Sequence, residues 1–182
     1  MDCPLIWIIM GVSGSGKTVV GRLFSERLES DFLEGDRRHS LQNIQKMQSQ
    51  QPLEDPDRYQ WLVEIEEDIE RAIAKKRETV LTCSALKASY RQQLTTLKRV
   101  QLVWLNVPRA DLARRLQRRD NHYMKLEMLD SQLAAFEPIG PQENVITLDG
   151  RLLPAKIVDE LLSQSTWLYP ELEEPWWKRV KP

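Results

Sequence analysis

The chain has 182 residues, 41% of them hydrophobic and 29% charged, which suits one folded domain with a real core and excludes a disordered polymer. Its 26 basic and 27 acidic side chains leave a formal net charge of -1. No field of the whole molecule therefore draws it to nucleic acid or to an anionic membrane, and any anion must be bound locally.

The first apolar run, Leu5 to Met10, is too short to cross a bilayer and lacks the pattern of a signal peptide, so a cytoplasmic protein is expected. The run is continuous, as a parallel strand covered on both faces should be. A glycine-rich turn follows, and from Lys17 to Leu28 the residues Val20, Leu23, Phe24 and Leu28 recur at helical spacing. Phe32-Leu33 reads as a short strand that ends at Glu34-Gly35-Asp36. From Asp57 to Lys75, Trp61, Leu62, Ile65, Ile69, Ala72 and Ile73 form one apolar stripe, which predicts a long helix capped by Asp55 or Asp57. Thr79 to Thr82, Val100 to Leu105 and Val145 to Leu148 read as further strands, and Leu112, Ala113 and Leu116 mark a shorter helix.

Strands alternating with helices predict an α/β fold: a mostly parallel five-stranded sheet in three layers, with helices on both faces and ligands beyond the carboxyl ends of the strands. One domain is expected over residues 1–165. Residues 166–182 read as an added tail with three prolines and the pair Trp176-Trp177, packed against its own domain. Cys3 and Cys83 are too few for a disulfide framework and do not match a zinc site, and Cys83 is expected to be a buried, inert thiol.

Gly11-Val12-Ser13-Gly14-Ser15-Gly16-Lys17-Thr18 fits G-x-x-x-x-G-K-[ST] and lies between a strand and an amphipathic helix, the context that a P-loop requires. The glycines let successive backbone N–H groups form a nest at the positive end of a helix. Lys17 brings a point charge to the β and γ phosphates of ATP, and the Thr18 hydroxyl is placed to coordinate magnesium.

Three polar clusters address the acceptor. Glu34, Asp36 and His39 follow the second strand beside the cradle; one acid is expected to hold the metal's water shell and the other to orient the acceptor hydroxyl and take its proton. Arg58, near the start of the long helix, suits a carboxylate clamp or an ion pair with a neighbouring Asp. Arg115 and Arg119 stand four apart on one helix face and suit a lid over about 114–126 that stabilises charge on the transferred phosphoryl group and excludes water.

These residues resemble the gluconokinase family, the thermoresistant-type gluconate kinases among the shikimate-kinase-like P-loop kinases. The resemblance runs from about Ile6 to Leu162 and rests on GVSGSGKT at Gly11 to Thr18, on EGDRRHSLQNIQKMQSQQPLEDPDR from Glu34 to Arg58 with Trp61-Leu62, and on CSALKASYR from Cys83 to Arg91. A fourth stretch spans His122-Tyr123, Leu129, Ser131-Gln132 and Glu137-Pro138. The resemblance implies transfer of the γ-phosphoryl group of ATP, with Mg2+, to the 6-hydroxyl of D-gluconate, by an enzyme that is often a homodimer. It also implies that Asp36, His39, Arg58, Lys87 and Arg91 face the sugar acid, although Lys87 and Arg91 read equally well as surface residues. Magnesium is thus expected at Thr18 and Glu34, and catalysis at Lys17, Asp36, Arg115 and Arg119, the two arginines also binding ATP.

Against the family's pattern, Glu34 stands for an aspartate, Ser40 for a proline, Gln50 for a glycine and Thr95 for an arginine. A shikimate-type kinase is disfavoured because Cys83-Ser84-Ala85 stands where that family has a glycine run. A nucleotide-gated switch is the remaining alternative, and the guanine-reading N-K-x-D segment of such switches is absent from the sequence.

Overall fold

The computed structural model describes residues 5–97, 99–118 and 126–175. Its five strands are β1 (Ile6–Met10), β2 (Asp31–Glu34), β3 (Thr79–Cys83), β4 (Val100–Asn106) and β5 (Val145–Asp149). They pair in the order β2-β3-β1-β4-β5, with every pairing parallel. The helices are α1 (Lys17–Leu28), α2 (Leu41–Gln48), α3 (Asp55–Ala74), α4 (Ala88–Thr96), α5 (Arg109–Gln117), α6 (Leu126–Ala135) and α7 (Pro154–Leu168).

Strand β1 shows why the sheet is central. Its alternate residues feed two cores: Trp7 and Ile9 join Val20 and Phe24 of α1 and Ile157, Val158 and Leu161 of α7 on one face. Ile6, Ile8 and Met10 join Trp61, Leu62, Ile65 and Ile69 of α3 and Leu94 of α4 on the other. A strand fully buried on both sides must be apolar at every position, which is the pattern of the Leu5 to Met10 run. A third cluster, including Val12, Met47, Leu53, Leu112, Leu116, Met128 and Leu129, lies beyond the strands' carboxyl ends and ties the turn after β1 to α2, α5 and α6.

Two expectations need correction. The long helix is capped by Glu54, whose backbone N–H donates to the Asp57 carboxylate at 2.9 Å; Asp55 is already the first helical residue and Asp57 the third. The expected boundary between residues 165 and 166 falls inside α7, which runs on to Leu168. Beyond it, Tyr169 is 5% exposed, stands edge-on to Trp7 and donates from its hydroxyl to Gln101 Oε1 at 2.8 Å. This part of the expected tail is core, whereas Trp167 is 81% exposed. The pair Trp176-Trp177 lies outside the described residues, as does most of the expected lid, including Arg119. Among the described residues no helix is long and apolar enough to cross a membrane.

Candidate active site

Residue Met10 lies beside Cys83, and Glu34 beside Thr82, so β1, β2 and β3 deliver their following loops to one edge of the sheet. The loop after β1 turns into α1 through Gly16, whose φ of 101° lies in the left-handed region that favours glycine. No side chain caps α1 there, so the first amides of the helix face the loop's hollow at the positive end of the helix dipole. Within that loop Lys17 Nζ donates to the Val12 carbonyl at 3.1 Å, and Ser13 N–H donates to the side-chain carbonyl of Gln132 at 2.6 Å.

The Thr18 hydroxyl donates to Glu34 Oε1 at 2.6 Å, which joins the loop to the end of β2. A hydroxyl and a carboxylate side by side are hard oxygen donors and suit magnesium, which keeps much of its coordination in water and phosphate oxygen. No group of three or more His, Cys, Asp or Glu able to hold a metal occurs among the described residues. Arg22 and Arg37 stand 3.8 and 3.4 Å from Glu34 Oε2 and keep that carboxylate in a cationic setting. Strand β5 also ends in an acid, Asp149, but Arg151 clasps it and holds its carboxyl down to about 2, with the Arg151 hydrogen bonds as the main cause.

After Glu34 the chain makes a single tight helical turn at Gly35–Arg38. A Cβ at Gly35 would collide with the Thr82 carbonyl, so glycine lets the β2 end press against β3. The turn leaves Asp36 exposed at the mouth of the cleft and carries His39 inward, where its ring stacks on Trp61 at 4.7 Å between centroids. Trp61 is fixed in turn by its indole N–H, which donates to the Gly35 carbonyl at 2.8 Å. Burial lowers the His39 pKa to about 4, with the Arg58 charge adding to the drop and the Asp36 charge opposing it. The imidazole is therefore neutral near pH 7, and its Nδ1, shut away from solvent, finds no hydrogen-bond partner among the described residues.

A single cleft is lined by Ser13, Gly14, Gly16, Lys17 and Thr18 of the loop, by Glu34, Asp36 and His39, and by Arg58 from the first turn of α3. Ser84 and Leu86 after β3, Met47 and Leu53, and Met128, Ser131 and Gln132 of α6 complete it. Gly11, Val12 and Ser15 of the same loop are buried and do not line the cleft.

Three expected site residues lie elsewhere. Arg91 is fully buried, and all of its nitrogens are engaged: Nε and Nη2 by Glu143 at 2.5 and 2.9 Å, Nη1 by the Ala85 and Leu86 carbonyls, and Nη2 again by the Pro138 carbonyl. It fastens α4 to the segment before β5 and does not reach the cleft. Lys87 precedes α4 and donates to both oxygens of Asp55 at 2.7 Å; Tyr90 also donates to Asp55, and Arg58 stands 4.0 Å from it. Arg115 binds the carbonyls of Gly14 and Ser15 at 3.4 and 3.2 Å and of Gly150 at 2.6 Å, so it braces the cradle from its carbonyl side and stays out of the cleft. Conversely, Met128, Ser131 and Gln132 line the cleft although nothing in their chemistry singles them out; only the resemblance over Ser131-Gln132 pointed there.

The profile of a family described as an AAA domain matches residues 6–139. The chain is also 41% identical over 160 residues to the gluconokinase of Gluconobacter oxydans (strain 621H), which covers 87% of this chain and 90% of that protein. The chain belongs to the gluconokinase family. A crystal structure of a gluconokinase from Sinorhizobium meliloti 1021 superposes with a TM-score of 0.83 at 35% identity, over 95% of this chain and 98% of that one. The shikimate kinase of Aquifex aeolicus vf5 superposes with a TM-score of 0.62 at 17% identity over 90% of this chain and 98% of that one, a likeness of fold alone.

Family membership gives meaning to three departures from the family's pattern. Ser40 caps α2, its hydroxyl accepting the Asn43 N–H at 3.1 Å, a service that proline could not give. Gln50 has a φ of 59°, the left-handed backbone for which the family's glycine is suited. Thr95 turns its hydroxyl back to the Arg91 carbonyl at 2.8 Å.

Proposed function

We propose that this protein transfers the γ-phosphoryl group of ATP to the 6-hydroxyl of D-gluconate, as a homodimer in the cytoplasm. The observation that carries this reading is the continuity of one cleft from the Ser13-to-Thr18 cradle to Asp36, His39 and Arg58. Triphosphate donor and polyhydroxy acid acceptor would lie end to end in it.

Backbone amides of the loop and α1 hold the phosphates, and Lys17 adds positive charge where it develops on the transferred group. Arg115 supports the same charge indirectly by fixing the loop's carbonyls. Thr18 and Glu34 are the residues that would hold magnesium, which would supply neutralisation of phosphate charge. Asp36 accepts the proton of the attacking hydroxyl, which makes the oxygen a better nucleophile as it meets phosphorus. Arg58 takes the acid's carboxylate, and neutral His39, which lines the cleft, exchanges a hydrogen bond with a sugar hydroxyl.

The test is ADP release with MgATP and a panel of sugar acids, shikimate and nucleoside monophosphates. Turnover confined to gluconate is expected. Turnover with shikimate or a nucleoside monophosphate, or hydrolysis independent of any acceptor, would overturn the assignment.

A further inference from the structure

A P-loop amide is normally described as waiting for phosphate, yet here the Ser13 N–H already has an acceptor. The side-chain carbonyl of Gln132 sits 2.6 Å away, 119 residues along the chain and on a different element, α6. Both residues line the cleft, so the contact stands where ligand must enter. Helix α6 is anchored beneath this point by Met128 and Leu129, which pack with Val12, Leu112 and Leu116 in the cluster that supports the loop. The amide oxygen is therefore held at the cradle by a packed helix.

We infer that Gln132 is a positioning residue that accepts the Ser13 N–H and yields it to a phosphate oxygen when nucleotide binds. The inference rests on the reading of the cradle as a nucleotide site. An amide carbonyl imitates one phosphate oxygen in hydrogen bonding but brings no charge, so phosphate displaces it readily. The exchange breaks the hydrogen bond that joins Ser13 of the loop to Gln132 of α6. Nucleotide occupancy thus reaches α6, which forms part of the cleft wall, before the acceptor is engaged.

The sign of the effect on affinity separates this role from simple packing. Gln132→Ala removes the competing acceptor, so the cradle no longer exchanges a protein hydrogen bond for the phosphate. A net hydrogen bond of the usual strength corresponds to binding of the imido analogue of ATP, with magnesium, tightened about two- to tenfold. Gln132→Glu keeps an oxygen at the same reach but adds negative charge beside the phosphates, so binding of the same analogue weakens by about tenfold or more. Calorimetry on the full chain measures both, and the Ser13 amide resonance of the free protein shifts in Gln132→Ala and moves little on Gln132→Glu. Unchanged or weaker binding in Gln132→Ala, or a Ser13 amide indifferent to that change, overturns the inference while leaving the cradle's assignment intact. Failure of the unaltered protein to bind the analogue overturns both.

Discussion

The two halves of the cleft are built on opposite plans. The donor half is one continuous segment, Gly11 to Thr18, which joins β1 to α1 and would meet its ligand mostly with backbone. The acceptor half is assembled from β2's end, α3, the loop after β3 and α6, and would meet its ligand with side chains. A backbone site is encoded locally, since glycine spacing fixes its shape. A side-chain site depends on which residue packing turns inward, so identical residue types serve as ligands at one position and as braces at another.

The position that breaks or sharpens this contrast most strongly is Arg91, which stands in a family stretch yet lies in the core with Glu143. Arg91→Ala removes a fully buried side chain and leaves the Ala85, Leu86 and Pro138 carbonyls and the half-buried Glu143 without their donor, so it is expected to cost about 2–4 kcal/mol in a urea unfolding curve. The residual folded enzyme should keep its KM for gluconate. A raised KM with unchanged stability would return Arg91 to the acceptor half.

On the donor half, Lys17→Ala should lower kcat about a thousandfold with an unchanged unfolding midpoint, because the amine stabilises developing charge and belongs to no hydrophobic cluster. Near-normal turnover would show that the amides alone suffice. Asp36→Asn should lower kcat about a hundredfold while ATP affinity holds, since its task concerns the acceptor's proton. Lost ATP affinity with unchanged kcat would move Asp36 to the donor half.

The smallest of these effects concerns His39. Its folded-state pKa is about 4, below its ordinary 6.5, so between those values the unfolded chain takes up the proton more readily. Its contribution to stability is intact above about pH 6.5 and drains away as pH falls toward 4. His39→Gln should therefore flatten that part of the stability curve, measured by unfolding at stepped pH, and change nothing above it. An unaltered slope would mean that the imidazole is not shielded in this way.

Much of the frame was legible because its signals are local. Every predicted strand lies within one or two residues of where it forms, and the first helix has the expected bounds, since apolar periodicity follows directly from burial on one or two faces. Helix α7 buries Ile157, Val158, Leu161 and Ser165 and runs on to Leu168, past the expected boundary, because Pro170, the first proline after it, lies beyond its end. Helix α2 carries little signal, with Met47 its one buried apolar residue. At the site, the loop and the Glu34-to-His39 turn could be read because each follows a strand. The fates of Arg91 and Lys87 could not, since they are decided by Glu143 and Asp55, 52 and 32 residues away. Gln132 carried no chemical signal beyond the resemblance over Ser131-Gln132, because its part comes from an α6 packed against the loop.

Phosphorus NMR of the protein with MgATP and D-gluconate tests donor and acceptor halves together. The predicted product is a phosphomonoester whose resonance is split into a triplet by the two protons of the terminal carbon, growing in step with ADP. Inorganic phosphate growing instead, or an ester on a carbon bearing a single proton, would contradict a cleft that places the end hydroxyl of the acid in line with the nucleotide.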